Sequence, residues 1–185
     1  MAADLEQELK ARGALLSGHF RLASGRHAGT YIEKFRILQW PDLAGALCGQ
    51  IAHEFRGQAD LVAGPTTGGV ILSYETARHL GLRSVIAERA ESGSSREFKR
   101  GFQVGPGERV LVVDDVLTTG GSIRDVMAAV HACGADVAGV GVLIDRSGGT
   151  VSFGVPFFAC LTVDVASWAA AECPLCAEGM ALVIT

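Results

Sequence analysis

RVLVVDDVLTTGGS, residues 109–122, sets how the rest of the chain is read. Val110 to Val113 form a continuous apolar, mostly β-branched run with no polar alternation. That is the pattern of a strand buried on both faces of a parallel sheet. The run gives way to Asp114 and Asp115, so the strand is expected to end at Asp114. Thr118, Thr119, Gly120, Gly121 and Ser122 follow, directly before a helical stretch from Ile123 to Cys133. The predicted order is strand, two acids, hydroxyl and glycine turn, helix.

Each residue type in that order has a task if an anion sits there. Glycines let backbone N–H groups crowd a phosphate, hydroxyls add donors, and the open N-terminus of a helix supplies unpaired N–H groups and partial positive charge. Carboxylates repel phosphate, but they accept hydrogen bonds from sugar hydroxyls or hold a divalent cation, directly or through water. The combination suits a phosphorylated sugar. The lysine of GxxxxGK[ST] is missing and the glycines do not fall as GxGxxG, which disfavours ATPase and dinucleotide chemistry.

The 185 residues, 49% hydrophobic and 19% charged, describe one soluble globular domain with a sizeable core. A formal net charge of −4 and the lack of a basic run give no support to nucleic-acid or membrane binding. MAADLEQELK has no cationic segment followed by an apolar one, so no secretory leader is expected, and no apolar stretch approaches membrane-spanning length. Five cysteines, an odd number, point to reduced thiols in the cytoplasm. Cys173-Pro-Leu-Cys176 is a CxxC that could be half of a zinc site or a redox pair. No second CxxC or CxxH accompanies it, so an incidental or structural role is expected.

Outward from the central motif, apolar spacing predicts an amphipathic helix from Asp4 to Leu16, then a hairpin or hood in which residues 30–38 are β-prone. A helix follows from Asp42 to Phe55. The strand DLVA, residues 60–63, feeds Gly64-Pro65-Thr66-Thr67-Gly68-Gly69 ahead of a helix from Val70 to His79. This is a second anion cradle, and two cradles suit a substrate with phosphates at both ends. After a strand at residues 82–87, residues 88–108 turn polar and carry Arg89, Arg96, Lys99 and Arg100, the mark of a mobile functional loop or loose hairpin. Val137 to Ile144 is an apolar strand that ends in Asp145 and Arg146. A charged pair at the carboxyl edge of a parallel sheet lies where α/β proteins place ligand contacts, so Arg146 is a candidate for a substrate carboxylate, against the alternative of an Asp145–Arg146 surface pair. A last strand is expected at residues 157–163.

VLVVDDVLTTGGS resembles the phosphoribosyl-diphosphate motif of the type I phosphoribosyltransferases. FRLASGR with the aromatic strand after it, the Asp-Arg pair and the tail ECPLCAEGMALV are similar to the orotate enzymes of that family. The resemblance implies an α/β fold, an open twisted, mainly parallel sheet flanked by helices. It implies a single domain over residues 1–185, with a helix and hood at about 1–40 and a catalytic lid at about 88–108. It also implies transfer of ribose 5-phosphate from phosphoribosyl diphosphate to orotate, with Mg²⁺ carried by substrate and water and Asp114 and Asp115 as its candidate protein ligands. Phosphoribosyl diphosphate would be held by Asp114, Asp115, Val116, Leu117, Thr118, Thr119, Gly120, Gly121 and Ser122, by Thr66, Thr67 and Gly68, and by Arg89. Asp114, Asp115, Arg89, Lys99 and Arg100 would serve catalysis, and Thr118, Arg146, Lys34 and His27 would contact orotate.

Two family lysines are missing, at the positions of Gly68 and Ala90. A cytoplasmic homodimer with shared lids, and no nucleic-acid or membrane partner, is expected. The rivals are a purine or uracil phosphoribosyltransferase and a non-catalytic, nucleotide-sensing regulator of the same fold.

Overall fold

A computed structural model describes residues 2–22, 24–91 and 95–185. In chain order the elements are α1 (Ala2–Ala11), β1 (Leu15–Arg21), β2 (His27–Ile32), α2 (Phe35–Leu38), α3 (Pro41–Glu54), β3 (Leu61–Pro65), α4 (Gly68–Leu80), β4 (Arg83–Arg89) and β5 (Arg96–Phe98). They continue with β6 (Arg109–Leu117), α5 (Gly121–Ala132), β7 (Asp136–Asp145), β8 (Phe157–Thr162), β9 (Ser167–Trp168), α6 (Pro174–Ala177) and β10 (Val183–Ile184). Among the described residues no helix is long and apolar enough to cross a membrane.

The main sheet has the order β5-β4-β3-β6-β7-β8, parallel throughout except for β5 at one edge. From β3 the chain moves through α4 to β4 on one side. From β6 it moves through α5 to β7 and β8 on the other. Strand order therefore reverses between β3 and β6, and the crevice beyond their carboxyl ends is where such sheets bind ligands.

Side-chain alternation along β6 divides the interior into two cores. Leu111 and Val113 pack with Leu47, Ile51 and Phe55 of the α3 region and Leu72 of α4. Val110 and Val112 pack with Ile123, Val126 and Val130 of α5. All four of these β6 residues are fully buried, which is what the uninterrupted apolar run required.

A second, four-stranded sheet of order β10-β1-β2-β9 forms the hood. Its central hairpin comes from the expected N-terminal region, but both flanking strands come from the C-terminal tail, β10 pairing parallel with β1 and β9 antiparallel with β2. The first helix is shorter than its apolar spacing suggests. Gly13, at φ +65°, turns the chain, and Leu15 and Leu16 pair with Ile32 and Tyr31 in the hairpin. The β-prone run at 30–38 splits as well: the strand stops at Ile32, and residues 35–38 form a helical turn that buries Ile37 and Leu38.

Residues 88–108 begin as a hairpin, with Ala87, Glu88 and Arg89 opposite Phe98, Glu97 and Arg96. Phe98, Phe102 and Val104 pack against the α5-side core, so much of this stretch is docked. The tip of the expected lid, residues 92–94, lies outside the described residues.

Candidate active site

The central strand continues past the expected stop. β7 offers a partner as far as Asp145, so the ladder carries Asp114 opposite Val142, Val116 opposite Ile144 and Leu117 opposite Asp145. The two acids are thus strand residues, and the period of two points them to opposite faces of the sheet. Asp114 lies on the α5 side, where its Oδ2 accepts a 2.6 Å hydrogen bond from Ser122 Oγ and its Oδ1 one of 2.9 Å from the Asp115 N–H. Burial, reinforced by the neighbouring charge of Asp115 and opposed by Ser122, raises the Asp114 carboxyl to about 6.

Asp115 lies on the hood side. Its Oδ1 accepts from the Val116 N–H at 2.7 Å and from Lys34 Nζ at 3.3 Å. Oδ2 is 3.1 Å from the same ammonium, yet it is buried and accepts no hydrogen bond. A carboxylate oxygen held by an ion pair alone keeps a lone pair for a hydroxyl or a metal-bound water. Because they diverge, the two acids suit a hydrated cation or a diol and do not form a shared chelate.

The turn after β6 presents the hydroxyls and open backbone N–H groups that an anion would need. Thr118 and Thr119 are exposed, Gly120 adopts φ +78°, and no side chain caps the first turn of α5, leaving its N–H groups open. Val116 and Leu117 carry the turn by packing, and the Leu117 carbonyl accepts the Arg146 N–H at 2.8 Å. Arg124, which composition did not single out, holds the turn from behind. Its guanidinium donates to the Thr119 and Ser152 carbonyls at 3.3 and 3.0 Å and lies 5.1 Å from the centre of the Phe153 ring.

The second cradle joins β3 to α4 through Thr66, Thr67 and Gly68, and the Thr66–Thr67 peptide is cis. A Cβ at Gly68 would fall on the Asp115 carboxylate. A side chain at position 68 would therefore fit only if Asp115 moved aside.

A cation reaches this cradle from elsewhere. Arg96 on β5 donates to Thr66 Oγ1 at 3.1 Å, to the Thr66 carbonyl at 3.2 Å and to the Ala87 carbonyl at 2.8 Å. Burial lowers its pKa, and the charge of Asp114 acts in the opposite direction. The cations expected to serve catalysis are placed differently. Arg89 is exposed, Lys99 pairs with Glu97 at 3.0 Å, and Arg100 pairs with Glu88 at 2.6 Å.

Between the turn and the hood lies a cavity of ≈ 590 Å³, lined by Tyr31, Thr118, Thr119, Arg146, Ser147 and Ser167 among others. Arg146 makes no ion pair among the described residues, its Nε is buried without a partner, and burial lowers its pKa. The Asp145–Arg146 surface pair does not form. Asp145 is 4% exposed and accepts the Ser147 N–H at 2.7 Å. Of the other residues expected to contact the base, Thr118 lines the cavity, whereas Lys34 is committed to Asp115. His27 does not line it: its ring is buried and its Nδ1 faces His19 and Cys176.

Comparison with known proteins agrees with this geometry. Residues 36–174 match the phosphoribosyl transferase domain family. An orotate phosphoribosyltransferase of Pelotomaculum thermopropionicum is 53% identical over 169 residues, covering 91% of this chain and 88% of that one. Another, of Caldanaerobacter subterraneus, is 44% identical over 167 residues, covering 90% and 87%. The crystal structure of an orotate phosphoribosyltransferase from Aeropyrum pernix superposes with a TM-score of 0.73 at 30% identity, covering 86% of this chain and 93% of that one. An uncapped helix over a threonine and glycine turn, flanked by two buried acids at a strand-order reversal, thus coincides with close sequence likeness over nearly the whole length, and the chain belongs to the phosphoribosyltransferase family, in its orotate phosphoribosyltransferase group.

Proposed function

We infer that this chain transfers ribose 5-phosphate from phosphoribosyl diphosphate to the ring nitrogen of orotate, releasing pyrophosphate and giving orotidine 5′-phosphate, a step of pyrimidine nucleotide synthesis. The observation that carries the choice of base is Arg146: an unpaired, half-buried guanidinium in the cavity that also contains Thr118 and Thr119. Its planar fork matches a carboxylate, and among nucleobases orotate brings one.

The 5′-phosphate binds at Thr118 to Ser122 and pivots the sugar. Asp114 and Asp115 approach the ribose hydroxyls from opposite faces and favour positive charge developing at the anomeric carbon as its bond to pyrophosphate breaks. Thr66, Thr67 and the backbone at Gly68 receive the diphosphate, with Arg96 supplying positive charge. Mg²⁺ carried by the diphosphate would supply positive charge against the leaving group, with Asp114 and Asp115 as the acids that would hold its water shell. Glycine at 68 does not weaken this reading, because the space for a side chain there is filled by Asp115.

The active form is a homodimer. Its interface is the apolar hollow of ≈ 410 Å³ lined by Leu38, Pro41, Ile71, Tyr74 and Ile86, where Tyr74 is 67% and Ile71 45% exposed. Five free cysteines suit a reducing cytoplasm.

Loss of orotate's ultraviolet absorbance on adding phosphoribosyl diphosphate and Mg²⁺ tests the reading. Turnover of adenine, hypoxanthine or uracil in its place would refute it.

A further inference from the structure

The hood holds a second cluster of reactive side chains, none of which lines the cavity. His19 on β1, His27 on β2, and Cys173 and Cys176 at the start of α6 offer four ligand atoms that all lie within 4.8 Å of one another. The edges between them are informative. His19 Nε2 is 3.0 Å from His27 Nδ1, 3.5 Å from Cys173 Sγ and 3.7 Å from Cys176 Sγ, and His27 Nδ1 is 3.3 Å from Cys176 Sγ. A zinc tetrahedron with metal–nitrogen bonds of about 2.0–2.1 Å and metal–sulfur bonds of about 2.3 Å has N–N edges of about 3.3 Å and N–S edges of about 3.5 Å.

Two further features favour a metal over a chance meeting. His19 Nδ1 lies 2.9 Å from the Met180 carbonyl. Donation to that carbonyl fixes the tautomer that leaves Nε2 bare toward the cluster, the usual orientation of a ligating histidine. His19, His27 and Cys173 are also 2%, 5% and 4% exposed, while Cys176 is exposed, so the group is enclosed but keeps one path of entry. A closed set of two imidazoles and two thiolates leaves no position for a substrate, which marks a structural site and not a catalytic one.

We propose that His19, His27, Cys173 and Cys176 bind one Zn²⁺ that fastens the C-terminal segment to the hood hairpin. The fold has a need for such a fastener. β9 and β10 contribute two residues each, and the tail around them exposes Met180, Leu182, Val183 and Ile184, so these two strands bring little apolar burial of their own to the sheet. The same sheet supplies Tyr31 and Ser167 to the cavity wall, and Leu22 and Thr185 line it from just beyond the ends of β1 and β10, so the metal would set the shape of the base site without touching it. This inference is independent of which base the cavity accepts.

The experiment uses the full chain expressed with zinc in the medium and purified without chelator. Elemental analysis should find close to one zinc per chain. Exchange to Co²⁺ should give the visible bands of a tetrahedral ion together with thiolate-to-cobalt charge transfer in the near ultraviolet. Cys173→Ser with Cys176→Ser should abolish both signals. Zinc removal from the wild type should lower its melting temperature and raise the KM for orotate several-fold more than that for phosphoribosyl diphosphate. Because the cobalt spectrum is read on the unmutated protein, a variant that fails to fold does not spare the proposal. Protein with negligible zinc and no tetrahedral cobalt spectrum would overturn it, as would a Cys173–Cys176 disulfide found by mass spectrometry in freshly purified, metal-free, fully active protein.

Discussion

Arg146→Ala separates the roles of affinity and stability most sharply. In the unliganded protein the guanidinium is half-buried with no carboxylate partner among the described residues, and its Nε is without a hydrogen bond there. Desolvating an unpaired charge costs free energy, so truncation should leave the melting temperature unchanged or raise it. With orotate bound, the fork would make two charge-assisted hydrogen bonds, each worth about 1.5–3 kcal/mol. Taking the lower figure for both, because the site is open on one side, gives about 3 kcal/mol, or roughly a 150-fold rise in the KM for orotate. The KM for phosphoribosyl diphosphate should move by less than about threefold, since additivity holds for a group that does not touch it. Arg146→Lys keeps the charge but loses the fork and should recover only part of the affinity. The assay is the orotate absorbance decrease with each substrate varied in turn, alongside thermal unfolding of the free protein. Equal effects on both KM values, or a fall in melting temperature of several degrees, would refute the assignment.

Asp114→Asn should cut turnover by about 10²-fold or more by removing preorganised negative charge, while stabilising the unliganded, Mg²⁺-free protein at neutral pH. The wild-type carboxyl is raised from 3.8 to about 6, so the folded state binds the proton more tightly than the unfolded one. That contribution is present at low pH and is lost as pH climbs from 3.8 through 6, amounting to roughly 3 kcal/mol. The variant should lack this slope in urea unfolding series across the window, and a wild-type slope would contradict it. Gly68→Ala should destabilise by about 1–3 kcal/mol and weaken diphosphate binding, because the new methyl meets the Asp115 carboxylate; wild-type melting and kinetics would count against that contact. Arg96→Ala should raise the KM for phosphoribosyl diphosphate about tenfold with little change for orotate, and Lys99→Ala, by comparison, should be mild. The reverse ranking would return the task to the cations expected from sequence, Arg89, Lys99 and Arg100.

Much of the main sheet was legible because Val110 to Val113 and Val137 to Ile144 have no polar interruptions, and few structures other than a doubly covered parallel sheet accept such runs. The turn between β6 and α5 was legible for a related reason, since hydroxyls and glycines lie where the apolar strand gives way to a helical pattern. The end of β6 was not, because pairing is decided by the partner strand: Asp114 looks like a terminator until β7 is seen to run alongside it. Arg96 was hidden among four cations of one polar stretch, and only the hairpin register aims it at Thr66. The hood was half-visible. Two-residue strands carry no periodic signal, and the His and Cys cluster joins residues 157 apart, as in His19 and Cys176, so no spacing rule reveals it.

Asp114 and Asp115 are neighbours in sequence, but their surroundings are assembled from different parts of the chain: α5 and Ser122 for the first, the hood through Lys34 and the β3–α4 turn for the second. Their charges remain coupled all the same: Asp115 raises the proton affinity of Asp114 and Lys34 lowers it, so a designer who alters Lys34 to free one acid also shifts the titration of the other.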